Sequence, residues 1–342
     1  MIPRLNISFS LKNQWTFGFG HEYAPREGEY LLNHARSGIV MALRAALPKG
    51  GRVGVVAYNC HTVANAVVES GCTPIFVDVT ENLHMDVQHL IGLQLDAIVV
   101  TNLFGIRNDI EVIRAAQPNA IIIVDNAHGY GLPAEGDFTV YSINQGKFPA
   151  LGEGGILVAN NEQYGSLIQQ QYDQLPDYSS GKQVKLFLTM LAKAWMHIPW
   201  IYGLLTRRMK AHRGKVVCRE AVARHRMAKG VSRIYRQALP TIARQIQQQR
   251  ANAQQMADAL LSKGLAQQVW YGDNAFMLIA HTTDIAALQQ YCLAHGVESA
   301  THFARAIEWA REFGYTEGQC PMAERLVKEL VMIPTYVPLA QV

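Results

Sequence analysis

The sequence predicts an α/β fold in which a mostly parallel sheet carries helices on both faces. Short β-branched runs alternate with helical patterns through the first half of the chain, which is the arrangement of parallel α/β proteins. The 342 residues are 49% hydrophobic and 17% charged, so the chain is globular and can bury a large core. This length favours one large domain followed by a smaller one.

The predicted elements of the first half follow one another closely after an irregular, aromatic segment at 1–30. A helical pattern, IVMALRAAL, begins at Ile39 after a turn of small residues. Beyond it, β-branched apolar runs predict strands at 52–57, 73–79, 96–101, 121–124 and 138–141. Helices are predicted between these strands at 62–71 and 109–117.

The second half is predicted to hold a connecting helix and a small α+β domain. The amphipathic stretch at 232–263 joins the two domains, and Pro240 within it marks a kink or a helix start. A strand and a helix are expected beyond it, at 275–280 and 283–295. We therefore expect a large domain over 1–230, a connecting helix over 231–264 and a small domain over 265–342.

Two residues of the central stretch have a combined chemical meaning. Asp125 ends the strand at 121–124, at the edge where open α/β sheets place their ligands, and Lys147 follows 22 residues later in a loop. A lysine amine condenses with aldehydes, and pyridoxal phosphate sites pair such a lysine with an Asp beneath the pyridine nitrogen. The hydroxyl of Ser142 suits a phosphate. Singly these are ordinary polar residues, but together they indicate a cofactor site.

The same stretch resembles the core of the DegT/DnrJ/EryC1/StrS family of pyridoxal-phosphate-dependent sugar aminotransferases. The family pattern is D-x-A-[HQ], then Gly-Asp, S-x-x-x-x-K and G-[DE]-G-G. In the same order, this chain has DNAH at 125–128, GD at 136–137, SINQGK at 142–147 and GEGG at 152–155. The resemblance implies fold type I, in which a mostly parallel seven-stranded sheet is flanked by helices and followed by a small α+β domain.

The resemblance also assigns roles to the residues of this stretch. Lys147 is implied to bind the cofactor aldehyde and to move the substrate proton, and Asp125 to face the pyridine nitrogen. Ser142 is a predicted phosphate ligand, and His128 occupies the position of a His or Gln near the cofactor's ring oxygen. Relatives that dehydrate sugars typically carry His at the lysine position, so Lys147 favours amino transfer.

Three further phosphate ligands are predicted where the chain departs from the family pattern. Arg36 and Ser37 occupy the family's phosphate-binding turn, in which Ala35 replaces the usual Gly. An ordinary helix N-cap is the alternative for this turn. Arg224 stands where the family has an Asn that reaches the phosphate of the partner subunit. Charge could preserve that contact, and the resemblance implies a homodimer.

The residues expected around the cofactor ring and the substrate also depart from the pattern. Cys60 occupies the position of an aromatic residue that stacks on the ring. Tyr58 or His61 could stack instead, or apolar contacts could hold the ring, with Cys60 as a packing thiol. His302 matches a family His that faces the active site, and a buried structural histidine is its alternative.

Other classes of protein are less consistent with the sequence. The net charge is only +4 and no nucleic-acid motif occurs. The five cysteines form no C-x-x-C pair, so neither a disulfide framework nor a metal site is expected. The N-terminal residues lack the apolar core of a signal peptide. We expect a cytoplasmic protein with reduced thiols.

The segment at 184–215 has no counterpart in the pattern. Its first part is apolar and aromatic and its last ten residues, TRRMKAHRGK, are basic. Lys185, Lys193 and the break before Pro199 argue against a spanning helix. Interior packing, a lid, a dimer contact and an interfacial helix with peripheral membrane contact all remain open. The basic flank could also bind an anionic substrate.

By resemblance, glutamate donates an amino group to a keto sugar in polysaccharide or glycoconjugate biosynthesis. The expected acceptor is a nucleotide-linked 4-keto-6-deoxy sugar. The alternatives are a lipid-linked or other non-nucleotide acceptor, and a non-catalytic scaffold or sensor of the same fold.

Overall fold

The protein is described from a computed structural model, which places residues 3, 10–208, 217–301 and 303–337. A seven-stranded sheet forms the centre of the large domain, as the fold class predicts. Its strands are β1 (Glu29–Leu32), β2 (Arg52–Val56), β3 (Thr73–Val77), β4 (Ala97–Thr101), β5 (Ile121–Asn126), β6 (Phe138–Ser142) and β7 (Gly155–Ala159). They lie in the order β1-β7-β6-β5-β4-β2-β3. The five strands from β6 to β3 are parallel, and β7 pairs antiparallel with both β6 and β1, so β7 runs opposite to the other six strands.

Helices cover both faces of this sheet. Those of the first half are α1 (Leu11–Phe19), α2 (Ala35–Ala46), α3 (His61–Glu69), α4 (Val87–Leu90) and α5 (Ile110–Ala116). Burial of β4 on both faces explains why its sequence, AIVVT, is apolar without interruption from Ala97 to Val100 rather than alternating. The helix α1 corrects the prediction of an irregular segment at 1–30. Its N-cap is Ser10, whose hydroxyl accepts a hydrogen bond from the Asn13 N–H at 3.3 Å.

Three helices leave the sheet after β7. They are α6 (Gly165–Asp173), α7 (Ser180–Met196) and α8 (Pro199–Arg208). The first part of the segment at 184–215 is therefore helical, and its residues 209–216 lie outside the described ranges. Pro199, at the first position of α8, separates the two helices, because proline suits the first turn of a helix and interrupts the backbone hydrogen bonding of a longer one.

One 34-residue helix, α9 (Lys229–Ser262), joins the two domains. It contains Pro240 in its interior, so the prediction of a helix start at this residue was wrong. The small domain adds β8 (Gln268–Trp270), β9 (Met277–His281), α10 (Ile285–Ala294), α11 (Ala306–Arg311), α12 (Pro321–Leu326) and β10 (Leu330–Pro334). Its three strands form an antiparallel sheet in the order β10-β9-β8.

Gly155, the first residue of β7, lets the sheet pack directly against the start of α2. A Cβ on Gly155 would lie 2.2 Å from the carbonyl carbon of His34. Any larger residue would push the N-terminus of α2 away from the ends of β5 and β6. This close approach places α2 beside the sheet edge that holds Asp125.

Candidate active site

Three adjacent parallel strands end in polar side chains at one edge of the sheet. Thr101 ends β4, Asp125 lies near the end of β5, and Ser142 ends β6. Because carboxyl ends of parallel strands share one edge, these groups converge, and they line a cavity of about 210 Å³. Lys147 reaches the same cavity from the loop after β6.

Asp125 is a buried carboxyl group, only 3% exposed. It accepts hydrogen bonds from the Ala127 N–H at 3.0 Å and from the Thr101 hydroxyl at 3.3 Å. Burial raises the pKa of Asp125, and the bond from Ala127, the Lys147 amine and the bond from Thr101 oppose this rise. The carboxyl therefore lies in a site where an additional cation would stabilise its charged form.

Lys147 and His128 are in direct contact, with 2.6 Å between Nζ and Nε2. The other ring nitrogen, Nδ1, accepts a hydrogen bond from the Phe104 N–H at 3.1 Å. A neutral imidazole that accepts at Nδ1 carries its proton on Nε2, so Nε2–H donates to the lone pair of an uncharged amine. Burial likewise lowers the pKa of Lys147, against the opposing effects of Cys60 and Asp125. Hydrogen bonding and burial both favour the nucleophilic form of the lysine.

The His128 ring packs in a cluster with two phenylalanine rings. Its centroid lies 5.5 Å from that of Phe104 and 5.9 Å from that of Phe303, and the two phenylalanine centroids are 5.8 Å apart. The interplanar angles are 19° and 18°. Phe104 has a φ of 55°, a left-handed conformation that is rare outside glycine. The N–H of this same residue donates to His128 Nδ1 and so fixes the tautomer of the imidazole.

The first turn of α2 forms another wall of the cavity. Ala35 and Arg36 line it, at the position where helical N–H groups have no intrahelical acceptor. Ser37 does not line it, because its hydroxyl donates to Asn33 Oδ1 at 2.9 Å inside the core. The side-chain role predicted for Ser37 is therefore wrong for this arrangement. Ser142 does line the cavity, so its hydroxyl and the turn of α2 are the groups placed to meet a phosphate.

Cys60 lies on the cavity wall at the N-cap of α3. Burial raises the pKa of its thiol, but a hydrogen bond from His61, the nearby Lys147 and a bond from Thr62 outweigh burial and lower the pKa to about 7. The Thr62 hydroxyl lies 3.1 Å from Sγ. The position where relatives stack an aromatic ring thus holds a thiol that is partly ionised near neutral pH.

Two residues predicted to contact the substrate are turned away from the cavity. Tyr58 is fully buried and packs edge-on against Phe303 at 5.7 Å, so it cannot stack on a ligand. His61 packs against Trp309 at 5.1 Å, behind Cys60. Both predictions fail because the chain turns at Cys60 and points the neighbouring side chains into the core and toward α11.

The remaining predicted site residues lie elsewhere. Arg224 is near Arg44 on the far side of α2 and does not line the cavity of its own protomer. His302 lies outside the described residues. Phe303, its neighbour, does line the cavity.

Sequence reasoning overlooked several residues that line the cavity. Thr101 could have been found by the rule that singled out Asp125, because it ends the adjacent strand. Its hydroxyl also accepts from Asn59 Nδ2 at 2.9 Å, which orients it toward Asp125. Asn144 and Gln145 stand between Ser142 and Lys147, where the family pattern specifies no residue type.

These residues fit pyridoxal phosphate. A buried carboxyl that gains from a nearby cation suits the pyridine nitrogen, and an uncharged lysine amine suits the aldehyde. The free N–H groups at the start of α2 and the Ser142 hydroxyl suit the phosphate. Phe303 and Ala127 supply apolar contacts on the wall.

Comparison with known proteins agrees with the geometry. Spore coat polysaccharide biosynthesis protein SpsC of Bacillus subtilis (strain 168) is 26% identical over 152 residues, or 40% of this chain and 39% of SpsC. The dTDP-4-amino-4,6-dideoxy-D-glucose transaminase of Shigella dysenteriae is 26% identical over 161 residues, or 43% of this chain and 42% of the relative. The chain thus spans about two fifths of the length of these curated relatives.

The fold itself is shared over almost the whole chain. The crystal structure of sugar aminotransferase CalS13 from Micromonospora echinospora superposes with a TM-score of 0.70 at 19% identity, covering 98% of this chain and 95% of CalS13. The sequence profile of the DegT/DnrJ/EryC1/StrS aminotransferase family matches residues 31–341. The chain belongs to this family of sugar aminotransferases, whose cofactor is pyridoxal phosphate.

Proposed function

We propose that this protein transfers an amino group from glutamate to a keto sugar, with pyridoxal phosphate as cofactor. One observation carries the proposal: the Lys147 amine, 2.6 Å from His128 Nε2, shares a cavity with the buried Asp125 carboxyl near the end of the central strand. The family supports the reaction class. The donor glutamate is taken from the family resemblance.

The residues of the chain divide the work between binding and proton transfer. Pyridoxal phosphate supplies the electron-accepting ring, and Asp125 is placed to keep its nitrogen charged. Ser142 and the first turn of α2 hold the phosphate end. Lys147 Nζ, uncharged and backed by His128, accepts and returns the substrate proton once it is no longer bound to the cofactor. His128 keeps that amine oriented toward the cavity.

A second chamber, of about 280 Å³, adjoins Lys147 and suits the neutral, hydroxyl-rich sugar part of an acceptor. Its walls come from the loop at 146–151, from α9 and from the small domain, and Lys147 is the one charged residue among those that line it. Three carboxamides of α9 face it, those of Gln245, Gln248 and Gln249. The buried Gln249 Oε1 lacks a hydrogen-bond partner within the described part of the chain. Amides of this kind hydrogen-bond sugar hydroxyls without requiring a charge on the ligand.

A nucleotide-linked 4-keto-6-deoxy sugar is the acceptor that we propose. The Shigella relative is named for a 4-amino-4,6-dideoxy sugar attached to dTDP, and the Bacillus relative for polysaccharide biosynthesis. The name of the Shigella relative is consistent with a carbonyl at C4 of a deoxy sugar as the group that is aminated. Polysaccharide or glycoconjugate biosynthesis in the cytoplasm is the corresponding cellular role.

A homodimer is part of the proposal. Arg224 lies away from the cavity of its own protomer, beside Arg44, and burial followed by this neighbour lowers its pKa. A phosphate contributed by a partner subunit would satisfy this guanidinium. The alternative of a non-catalytic scaffold is disfavoured. Burying Asp125 and Lys147 costs folding free energy, and without a ligand nothing would be gained in return.

The test is the visible spectrum of the purified protein with pyridoxal phosphate, before and after glutamate. We expect a band from the lysine-bound cofactor that glutamate bleaches. Lys147→Ala should abolish the band, whereas Lys328→Ala, a change at an exposed lysine of the small domain, should leave it intact. Addition of dTDP-4-keto-6-deoxyglucose should restore the band and yield an amino sugar by mass spectrometry.

Each failure has its own meaning. Absence of the band in the wild-type protein would favour the scaffold or sensor. A band that glutamate leaves unchanged would rule out glutamate as donor. If glutamate bleaches the band and the nucleotide sugar does not restore it, the protein is still a transaminase, but this sugar is not its acceptor.

A further inference from the structure

The helices α7 and α8 expose an unusual number of large apolar side chains. Seven of them have between 37% and 71% of their surface exposed: Val184, Leu188, Trp195, Met196, Ile198, Trp200 and Leu204. We call these seven residues the hairpin patch. Scattered exposed apolar residues are normal, but a group of this size on one helical pair marks an interaction surface.

Packing inside the protein accounts only for the opposite face of α7. Met190 is 1% exposed and sits against Gly152, where its methyl carbon would lie 2.8 Å from an added Cβ. Phe187 packs on Phe17 at 5.4 Å. Val184, Leu188 and Trp195 fall within about 40° of one another around the helix, on the outer side. The interior-packing interpretation is therefore incomplete, because α7 is apolar on two faces.

The charge of the surrounding sequence is strongly one-sided. Residues 178–219 contain nine Lys or Arg and no Asp or Glu. The rest of the chain has 22 basic and 27 acidic residues, so the positive excess of the whole protein lies in this segment. Lys182 and Lys185 are exposed on α7 next to the patch. A partner that covers this region must tolerate, or require, positive charge.

An anionic lipid surface would cover the exposed apolar side chains and attract the positive charge around them. We propose that the hairpin patch docks on such a surface. Trp195 and Trp200, which are 61% and 71% exposed, suit the headgroup level, where an indole ring is favoured. Lysines beside an apolar stripe are typical of helices that lie in the membrane interface. Within the described ranges, no helix has the length and apolarity needed to cross a bilayer.

A second copy of the chain explains the patch less well. Two-fold dimers bring the same surface of each subunit together, and the centres of such interfaces are depleted in Lys. A dimer closed around this segment would place two basic, acid-free stretches side by side. Repulsion between them would offset part of the apolar gain.

The docking surface is connected to the candidate active site. His197, between α7 and α8, has Nε2 3.3 Å from Nε2 of Gln145, which lines the cofactor cavity. The hydroxyl of Tyr202 donates to Glu298 of the small domain at 2.6 Å. Docking through the patch would therefore hold the mouth of the site at a fixed orientation to the lipid surface.

Flotation of the full-length protein with lipid vesicles tests the proposal. With vesicles of phosphatidylglycerol and phosphatidylcholine in equal parts, we expect the wild type to float at low salt. We expect at least about tenfold less bound protein with phosphatidylcholine alone, and for the variant Trp195→Glu/Trp200→Glu. The matched control is Leu261→Glu/Leu293→Glu, which changes a leucine near the end of α9 and one on α10 that are 44% and 58% exposed.

The variant must bind pyridoxal phosphate as the wild type does, which shows that its cavity is intact. Absence of wild-type flotation with the anionic vesicles would overturn the proposal, and so would equal flotation of Trp195→Glu/Trp200→Glu. Sedimentation velocity identifies the competing occupant. A dimer that dissociates in Trp195→Glu/Trp200→Glu, without any vesicle binding by the wild type, would assign the patch to a second copy.

Discussion

The end of β5 and the α7–α8 pair both reverse the usual distribution of polar and apolar side chains, in opposite senses. At the end of β5 the Asp125 carboxyl is buried, and the Lys147 amine from the loop after β6 lines the same cavity, where apolar groups would be more stable. On the helix pair, two tryptophans face solvent. The first region contains hydrogen-bond partners for each group, whereas the second has no cover within the described part of the chain.

The difference teaches what each region is built to receive. The buried pair is already oriented, so a ligand there needs only to supply a cation and an aldehyde. The patch has no pocket and few directional groups, and so it fits a broad surface rather than a small molecule. Substitutions at the end of β5 should therefore alter the reaction and its pH dependence. Substitutions on α7 and α8 should alter how much of the protein binds to lipid vesicles.

The largest effect is expected at His128, which orients the amine. His128→Ala removes the donor to Lys147 Nζ and the ring that packs against Phe104 and Phe303, and kcat/KM should fall about 100-fold or more. Without that donor the amine protonates more readily, so cofactor binding should require a higher pH. His128→Gln supplies a replacement N–H and should recover most of the activity. Equal loss in both variants would contradict the hydrogen-bonding role.

Next in size is the contrast between the two faces of the helix pair. Met190→Ala empties a buried site beneath Gly152 and should lower the free energy of unfolding by about 2 to 3 kcal/mol. Trp200→Ser should change it by less than about 0.5 kcal/mol, because this side chain is exposed. Urea unfolding followed by circular dichroism measures both. A large loss in Trp200→Ser would mean that its ring is part of the folded core.

Asp125→Asn should raise the thermal stability of the cofactor-free protein near neutral pH. The raised pKa means that the folded state retains this proton at a higher pH than the unfolded state, whose pKa is near 3.8. The contribution of Asp125 to stability is then greatest below that pH and is lost as pH rises through the folded pKa. Near neutral pH the variant should melt above the wild type, and near pH 3 the two should coincide. Pyridoxal phosphate should stabilise only the wild type strongly.

The smallest expected effect concerns Cys60 and leaves the fold unchanged. Its alkylation by iodoacetamide should have a midpoint near pH 7 and slow markedly when pyridoxal phosphate is bound. Cys292 and Cys320 serve as internal controls, because burial raises their pKa. Peptide mass spectrometry gives the rate at each thiol. Equal rates at the three positions would show that the environment of Cys60 is ordinary.

Much of the sheet could be predicted because its strands carry their signal locally. The run at 121–124 is apolar and β-branched, and the strand β5 extends over Ile121–Asn126. The cavity was foreseen for the same reason, since Asp125, Ser142 and Lys147 stand at strand ends or just beyond one. Position relative to a strand end is a property that a single sequence reveals.

Side-chain direction beyond the strand ends could not be predicted in the same way. Ser37 points into the core because of its phase on α2, and Tyr58 because of the turn before α3. For α7, an apolar sequence around most of the helix does not tell which face is covered. Only the position of Met190 against Gly152 decides that.

The connecting helix α9 has a mechanical consequence. Its 34 residues extend about 51 Å, and Pro240 lacks the N–H that would bond to the carbonyl of Arg236. A bend of about 10° at this point moves the far end, about 33 Å away, by about 6 Å. The glutamines beside Lys147 lie just beyond the bend, and the small domain is attached to its end. Such a bend would change the aperture of the second chamber, and Pro240→Ala would stiffen the helix without altering any residue that lines the opening.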